Sequence, residues 1–213
     1  MVKNLILDMG NVMIEFAPDH LIEDQGIQDS EVHAILLREV FRSLEWVQMD
    51  WGILTEQEAA ARICARLPDE LKELGRRLVF DWDRQMHPID GMEALVRECK
   101  ACGMGIYLLS NASVRLPDYW PRVPGSDCFD GITVSGLLGC VKPMPEIYRH
   151  VLDTYGLQPE ECLFVDDMQV NTKAAEQVGY HTLTLTDGAA ALETALRTVP
   201  EIDDELKKAE RSI

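Results

Sequence analysis

A chain of 213 residues, 46% of them hydrophobic, carries enough apolar surface for one sizeable core plus a smaller accessory unit, and too little for two full domains. With 20 Lys and Arg against 37 Asp and Glu, its formal charge of -17 repels polyanions, so neither nucleic acid nor an anionic membrane surface is expected as a partner. A small anionic substrate must then be received by a local positive site, built from a metal or a few basic side chains.

The apolar run Val2 to Leu7 has strand length, is rich in branched residues, and stops abruptly at Asp8-Met9-Gly10-Asn11. It is too short for a signal-peptide core, and no later run approaches the ~18 apolar residues of a membrane span, so a cytoplasmic location is expected. From Phe16 to Met86 the spacing predicts helices over Glu31 to Phe41, Thr55 to Arg66 and Pro68 to Phe80, with no strand signal. Thr55-Glu56-Gln57-Glu58 fits a capping box, in which the Thr55 hydroxyl and the Glu58 carboxylate satisfy free amides at a helix start. The stretch 16–86 reads as an inserted helical cap, leaving 1–15 and 87–200 as the core.

After His87-Pro88, which reads as a hinge, helix and strand alternate. Met92 to Ala101 is helical, Gly105 to Leu109 is a short strand ending in Ser110-Asn111, and Ile132 to Ser135 is another strand. Pro145 to Tyr155 has proline in its first helical turn, and Cys162 to Val165 is a strand closed by Asp166-Asp167. Asn171 to Val178 is a helix capped by Gly179, His181 to Leu185 a strand, Ala189 to Thr198 a helix, and 201–213 a charged tail. This order predicts an α/β fold: a Rossmann-like, doubly wound parallel sheet with an all-helical insertion, whose ligands sit at the carboxyl ends of the strands.

Asp8, Ser110 and Asp166-Asp167 each close a separate predicted strand, which would bring three carboxylates to one sheet edge. Without a cation one of them would have to take up a proton. Mg²⁺ suits oxygen ligands and typically takes one or two carboxylates plus a substrate phosphate oxygen. Lys142, in Val141-Lys142-Pro143, offers a second positive charge. Each residue also has a plain structural reading: an Asp or Ser-Asn after a strand can simply cap the next helix.

These residues resemble the four signatures of haloacid dehalogenase (HAD) superfamily hydrolases with a helical cap after the first strand. Asp8-Met9-Gly10-Asn11-Val12 resembles the first, Leu108-Leu109-Ser110-Asn111 the second, Lys142-Pro143 the third, and Phe164-Val165-Asp166-Asp167 with Asn171 the fourth. The similarity runs over residues 2 to 190 and is greatest to bacterial phosphatases acting on alpha-D-glucose 1-phosphate, which share the Gly-Asn-Val form and a cap similar to Trp46 to Glu58. The resemblance implies a Mg²⁺-dependent phosphatase acting on a small phosphorylated substrate, with Asp8 as a nucleophile forming an aspartyl-phosphate. It implies that Ser110, the Asn111 amide and Lys142 hold the phosphate, with Gly10 and Asn11 beside them. Asp166, Asp167, Asp8 and the Gly10 carbonyl would hold Mg²⁺, Asn171 would orient the acidic pair, and Trp51, in Trp51-Gly52-Ile53, would contact the substrate or, equally, pack between cap and core.

One departure matters: many such enzymes carry a second Asp two residues after the nucleophile as proton donor and acceptor, and this chain has Gly10. Such a group usually contributes roughly 10² to 10⁴ in rate. A sugar 1-phosphate, whose leaving hydroxyl is comparatively acidic, would need less of that help. Two alternatives stand beside this reading. A 2-haloacid dehalogenase would use Asp8 on carbon and need no acidic pair, and a binding or regulatory protein would keep the fold without turnover. Glu15, Asp19 and His20 read as a solvated loop, Arg76-Arg77 as a solvated helix face, and Cys99 and Cys102 as reduced thiols filling a helix face. No G-x-G-x-x-G follows the first strand, which disfavours a dinucleotide site. Nothing in the sequence fixes an oligomeric state.

Overall fold

The computed structural model describes residues 2–186 and 188–197. In chain order these form β1 (Asn4–Leu7), β2 (Ile14–Glu15), α1 (Pro18–Glu23), α2 (Ser30–Leu36), α3 (Leu44–Asp50), α4 (Glu56–Arg66), α5 (Lys72–Asp81), β3 (His87–Pro88) and α6 (Met92–Ala101). There follow β4 (Gly105–Ser110), α7 (Leu116–Tyr119), β5 (Gly131–Val134), α8 (Ser135–Leu138), α9 (Pro145–Tyr155), β6 (Cys162–Asp166), α10 (Gln169–Val178), β7 (His181–Thr184) and α11 (Gly188–Arg197).

Five strands make a parallel sheet in the order β5-β4-β1-β6-β7. Successive side chains on a strand point to opposite faces, and each central strand is apolar on both. Leu5 and Leu7 of β1, Ile106 and Leu108 of β4, and Leu163 and Val165 of β6 join one cluster, with Met92, Leu95 and Val96 of α6 and Leu192 and Leu196 of α11. Ile6, Leu109, Cys162 and Phe164 face the other way, against Ile147, Tyr148 and Val151 of α9 and Ala175 of α10. This is the doubly wound α/β sandwich that alternating strands and helices predict. The chain leaves β1, builds β4 and β5 on one side, then crosses to β6 and β7, so the carboxyl end of β1 lies at the switch point where such sheets open a crevice.

Between β2 and β3, which pair antiparallel, the helices α1 to α5 pack around their own apolar cluster, including Leu36, Val40, Trp46, Ile63 and Leu78. The capping box at α4 is present in full, with Thr55 and Glu58 bonded reciprocally. Elsewhere the helices differ from the sequence expectation. The single helix expected over Glu31 to Phe41 is α2, capped by Asp29, running into a π-helical turn at Leu37–Phe41. The helix expected from Pro68 begins with a 3-10 turn at Asp69–Leu71. Helix α3 was invisible because seven residues with two buried side chains, Trp46 and Met49, show no readable period. The expected tail at 201–213 and the last residues of the core segment lie outside the described residues. Among the described residues no helix is long and apolar enough to cross a membrane.

Two sets of contacts fasten the cap. At the hinge, the buried Asp83 carboxylate accepts from Arg115 at 2.5 Å and from Arg122. At the far end Ser135 Oγ donates to the Asp50 carbonyl at 2.5 Å, and Trp51 Nε1 donates to the Gly139 carbonyl at 2.9 Å. Gly52 lies between them at φ +72, where an added Cβ would sit 2.1 Å from the Gly136 carbonyl oxygen. Asp83→Ala, which strands the part-buried Arg115 guanidinium, is expected to lower the unfolding free energy by about 2–3 kcal/mol in urea titrations.

Candidate active site

The pairing of β1 with β6 continues one residue past the strand, where the Asp8 amide donates to the Val165 carbonyl at 2.9 Å and delivers Asp8 to the switch point. Its Oδ1 accepts from the Met9 amide at 2.7 Å and from Lys142 Nζ at 2.8 Å. The ammonium also donates to Asp166 Oδ2 at 2.7 Å and to the Leu109 carbonyl at 3.1 Å, so its three protons are all used. Burial works against charge on Lys142, but Asp8 and Asp166 outweigh it and hold the ammonium above its ordinary range. Burial pushes the Asp8 carboxyl up to about 6; Lys142 opposes that shift and Asp166 adds to it.

The neighbours of this triad are positioned as tightly. Asn111 clamps the Lys142 backbone from both sides, donating to its carbonyl at 3.0 Å and accepting from its amide at 2.8 Å. Asp166 Oδ1 accepts from Asn171 Nδ2 and from the Met168 amide, both at 2.9 Å. Asn11 adopts φ 54, tolerable for a short polar side chain, and donates to Asp167 Oδ2 at 2.9 Å while accepting from the Phe16 amide at 3.0 Å. Carboxylate oxygens of Asp8, Asp166 and Asp167 lie within 4.8 Å of one another. The group balances three carboxylates with one lysine, and an oxygen-only set carrying surplus negative charge fits Mg²⁺.

Above this floor is a cavity of about 190 Å³. Asp8, Gly10, Asn11, Ser110, Asn111, Lys142, Asp167 and Asn171 line its floor, so the structure brings these expected residues together; Asp166 lies just beneath, fully buried. Trp51 is the exception. Its indole is turned to the Gly139 carbonyl and does not line the cavity, so its place is the cap–core seam. The aromatic walls are instead Phe16, Trp46 and Trp82, with Met49, Val79 and Tyr119.

Sequence reasoning also missed the wall's polar groups, Asp50, Glu56, Ser113 and Arg115. Glu56 had been read only as part of a helix start, and Ser113 Oγ donates to it at 2.5 Å. Glu15, Asp19 and His20 pair on the surface, His20 with Glu15 at 2.9 Å and Asp19 with His33 at 3.6 Å. Cys99 and Cys102 form no disulfide, and burial raises the Cys99 thiol to about 12.

The sequence pattern of haloacid dehalogenase-like hydrolases matches residues 2–179, and the chain belongs to that family. It is 30% identical over 201 residues to a sesquiterpene phosphatase of Aspergillus oryzae, covering 88% of this chain and 92% of that protein. It is 24% identical over 210 residues to a D-ribitol-5-phosphate phosphatase of Bacteroides thetaiotaomicron, covering 89% of this chain and 94% of that one. In fold it is similar to a HAD family enzyme of Bacteroides thetaiotaomicron solved with magnesium and inorganic phosphate. The TM-score there is 0.64 at 22% identity, over 87% of this chain and 95% of that chain.

Asp8 can act as a nucleophile only when ionised, so hydrolysis should climb with pH through a limb at or below about 6, the lower value applying when a bound cation favours the carboxylate. A pH–rate profile of kcat/KM checks the position of that limb. Asp8→Asn, which keeps the shape and removes the candidate nucleophile, should bring hydrolysis to background in the same assay.

Proposed function

We propose that this hydrolase is a Mg²⁺-dependent phosphatase that cleaves a small phosphate monoester through an aspartyl-phosphate on Asp8. The observation that carries the reading is the buried Lys142 ammonium between Asp8 and Asp166, with Asp167 alongside. Lys142 and Met9 pin Asp8 Oδ1, and no protein donor reaches Oδ2 among the described residues, so that oxygen is free to attack phosphorus. Lys142 offsets charge as the carboxylate and phosphate approach, while Ser110 and the Asn111 amide hold the phosphate oxygens. Asn111 fixes the lysine's backbone and Asn171 fixes Asp166. Mg²⁺, held by Asp8, Asp166, Asp167 and the Gly10 carbonyl, would neutralise and orient the phosphoryl group. The acidic pair has no use in dehalogenation, which disfavours that alternative.

The cavity walls favour an apolar body on the alcohol, because Phe16, Trp46, Met49, Val79, Trp82 and Tyr119 offer it carbon surface. Among the described residues the basic residue of the wall is Arg115, whose charge is already paired with Asp83 and whose guanidinium also donates to the Phe80 carbonyl, which disfavours a second phosphate there. The sesquiterpene phosphatase relative supports the same choice. A sugar phosphate such as glucose 1-phosphate is the second reading, favoured by the Asp50 and Glu56 carboxylates, which can accept from sugar hydroxyls.

Steady-state assays with apolar alkyl phosphates, glucose 1-phosphate and glucose 6-phosphate separate the two readings. The apolar esters should lead by about tenfold or more in kcat/KM, a ratio equal to the transfer free energy of one well-buried side chain. Trp46→Ala should raise KM for the apolar esters by roughly the same factor. A chelator should abolish turnover and added Mg²⁺ restore it; turnover that survives chelation would reject the metal-dependent mechanism.

A further inference from the structure

Hydrolysis of an alkyl phosphate needs a proton for the departing alkoxide and a base for the incoming water, and Gly10 has no side chain to supply either. We infer that Asp50, at the carboxyl end of cap helix α3, is the proton-transfer residue of the phosphatase reaction proposed above. The inference rests on that reading and adds a catalytic group to it.

The other ionisable groups around the cavity are committed elsewhere. Asp8 becomes the covalent carrier, Asp167 is held by Asn11, and Glu56 accepts a short hydrogen bond from Ser113. Lys142 spends all three donors on Asp8, Asp166 and Leu109, Arg115 is tied to Asp83 and Phe80, and burial drives the Tyr119 phenol far above its ordinary range. The half-buried Asp50 carboxyl lines the same cavity, and no hydrogen bond or ion pair to it is present among the described residues.

Its backbone, by contrast, is held firmly to the core. Ser135 Oγ holds the Asp50 carbonyl, Trp51 holds Gly139, and Gly52 packs where not even a methyl group would fit against Gly136. Three successive cap residues are thus fastened to the core, and the carboxyl is presented from the cap side. A phosphate on the floor, attacked in line by Asp8, turns its leaving oxygen toward that side. Burial, with the charges of Asp8 and Glu56 and against that of Lys142, pushes the Asp50 carboxyl well above the usual carboxylate range, the direction that a proton donor requires.

In the first step the bond from Asp8 Oδ2 to phosphorus forms, the bond from phosphorus to the alcohol oxygen breaks, and the Asp50 proton passes to that oxygen. In the second step the Asp50 carboxylate takes a proton from water as the water oxygen bonds to phosphorus. The bond to Asp8 breaks, inorganic phosphate leaves, and both aspartates return to their starting states.

Asp50→Asn, assayed on the full chain with Mg²⁺, tests this with two esters. With an alkyl phosphate, kcat should fall by roughly 10²–10⁴ with no burst. With 4-nitrophenyl phosphate, whose leaving group needs no proton, the variant should release one nitrophenol per protein in a burst and then turn over slowly, because the aspartyl-phosphate lacks its base. Equal losses on the two esters without a burst, or alkyl turnover close to wild type, would overturn the role of Asp50 and leave the phosphatase reading standing. A wild-type protein inert toward both esters would overturn both. Should the variant not fold, the wild-type protein still decides. Its alkyl-ester kcat should decline on the alkaline side while the nitrophenyl burst rate does not, and a parallel decline of the two rates would overturn the inference.

Discussion

The buried ammonium of Lys142, shared between Asp8 and Asp166, is the interaction on which the site depends. Two carboxylates and a lysine brought out of water are tolerable only when every charge has a partner, and here the lysine's third proton is met by the Leu109 carbonyl. That arrangement requires the ends of β1, β4 and β6 to stand side by side, which the parallel pairing enforces. It also requires the loop carrying Lys142 to hold one position, which the paired hydrogen bonds from Asn111 impose. The sheet, the clamp and the charge cluster are thus one construction. Its surplus of negative charge explains how a chain of formal charge -17 attracts a divalent cation and, through it, an anionic ester.

The cap answers a different physical need. On the proposed reading the core floor holds the phosphate and offers almost nothing to the organic group, which leaves selection to the helices set above it. Their aromatic side chains make a dry wall, which strengthens the electrostatics beneath. The wall nonetheless includes two carboxylates, which are costly to keep beside Asp8, and such groups gather where a reaction uses them. Burial that would be a defect in a purely structural aspartate is what raises the Asp50 carboxyl above the usual carboxylate range and favours its protonated form. The contacts of residues 50–52 with Ser135, Gly136 and Gly139 link that proton to the core, so the catalytic geometry and the docking of the cap are set by the same few atoms.

Much of this was legible before any coordinates. Asp8, Ser110 and Asp166 each interrupt an apolar run, and a continuous apolar run with an abrupt polar stop is a local signal that a strand end projects a functional group. The Thr55–Glu58 capping box is equally local. Lys142 stops no apolar run; the sequence offers it as a second positive charge in Val141-Lys142-Pro143, and the resemblance to a family signature ties it to the site. Trp51 shows where local reasoning leaves two readings open: it and Trp46 stand five residues apart in the cap, and nothing in their immediate sequence says which faces the cavity.

The sequence alone determined the order of the five core strands, their parallel pairing and the chemical character of the sheet edge, because these follow from periodicity and from the residues that stop each run. The tertiary structure decided which cap residues look down on that edge. The rotation of α3 is set by docking against α8 and the glycines beyond it, contacts between segments more than eighty residues apart. Nothing in one dimension singles out Asp50, because α3 itself is not legible there. The docking of residues 50–52 against Ser135, Gly136 and Gly139 sets its position, and steric fit between distant backbones leaves no trace in local composition.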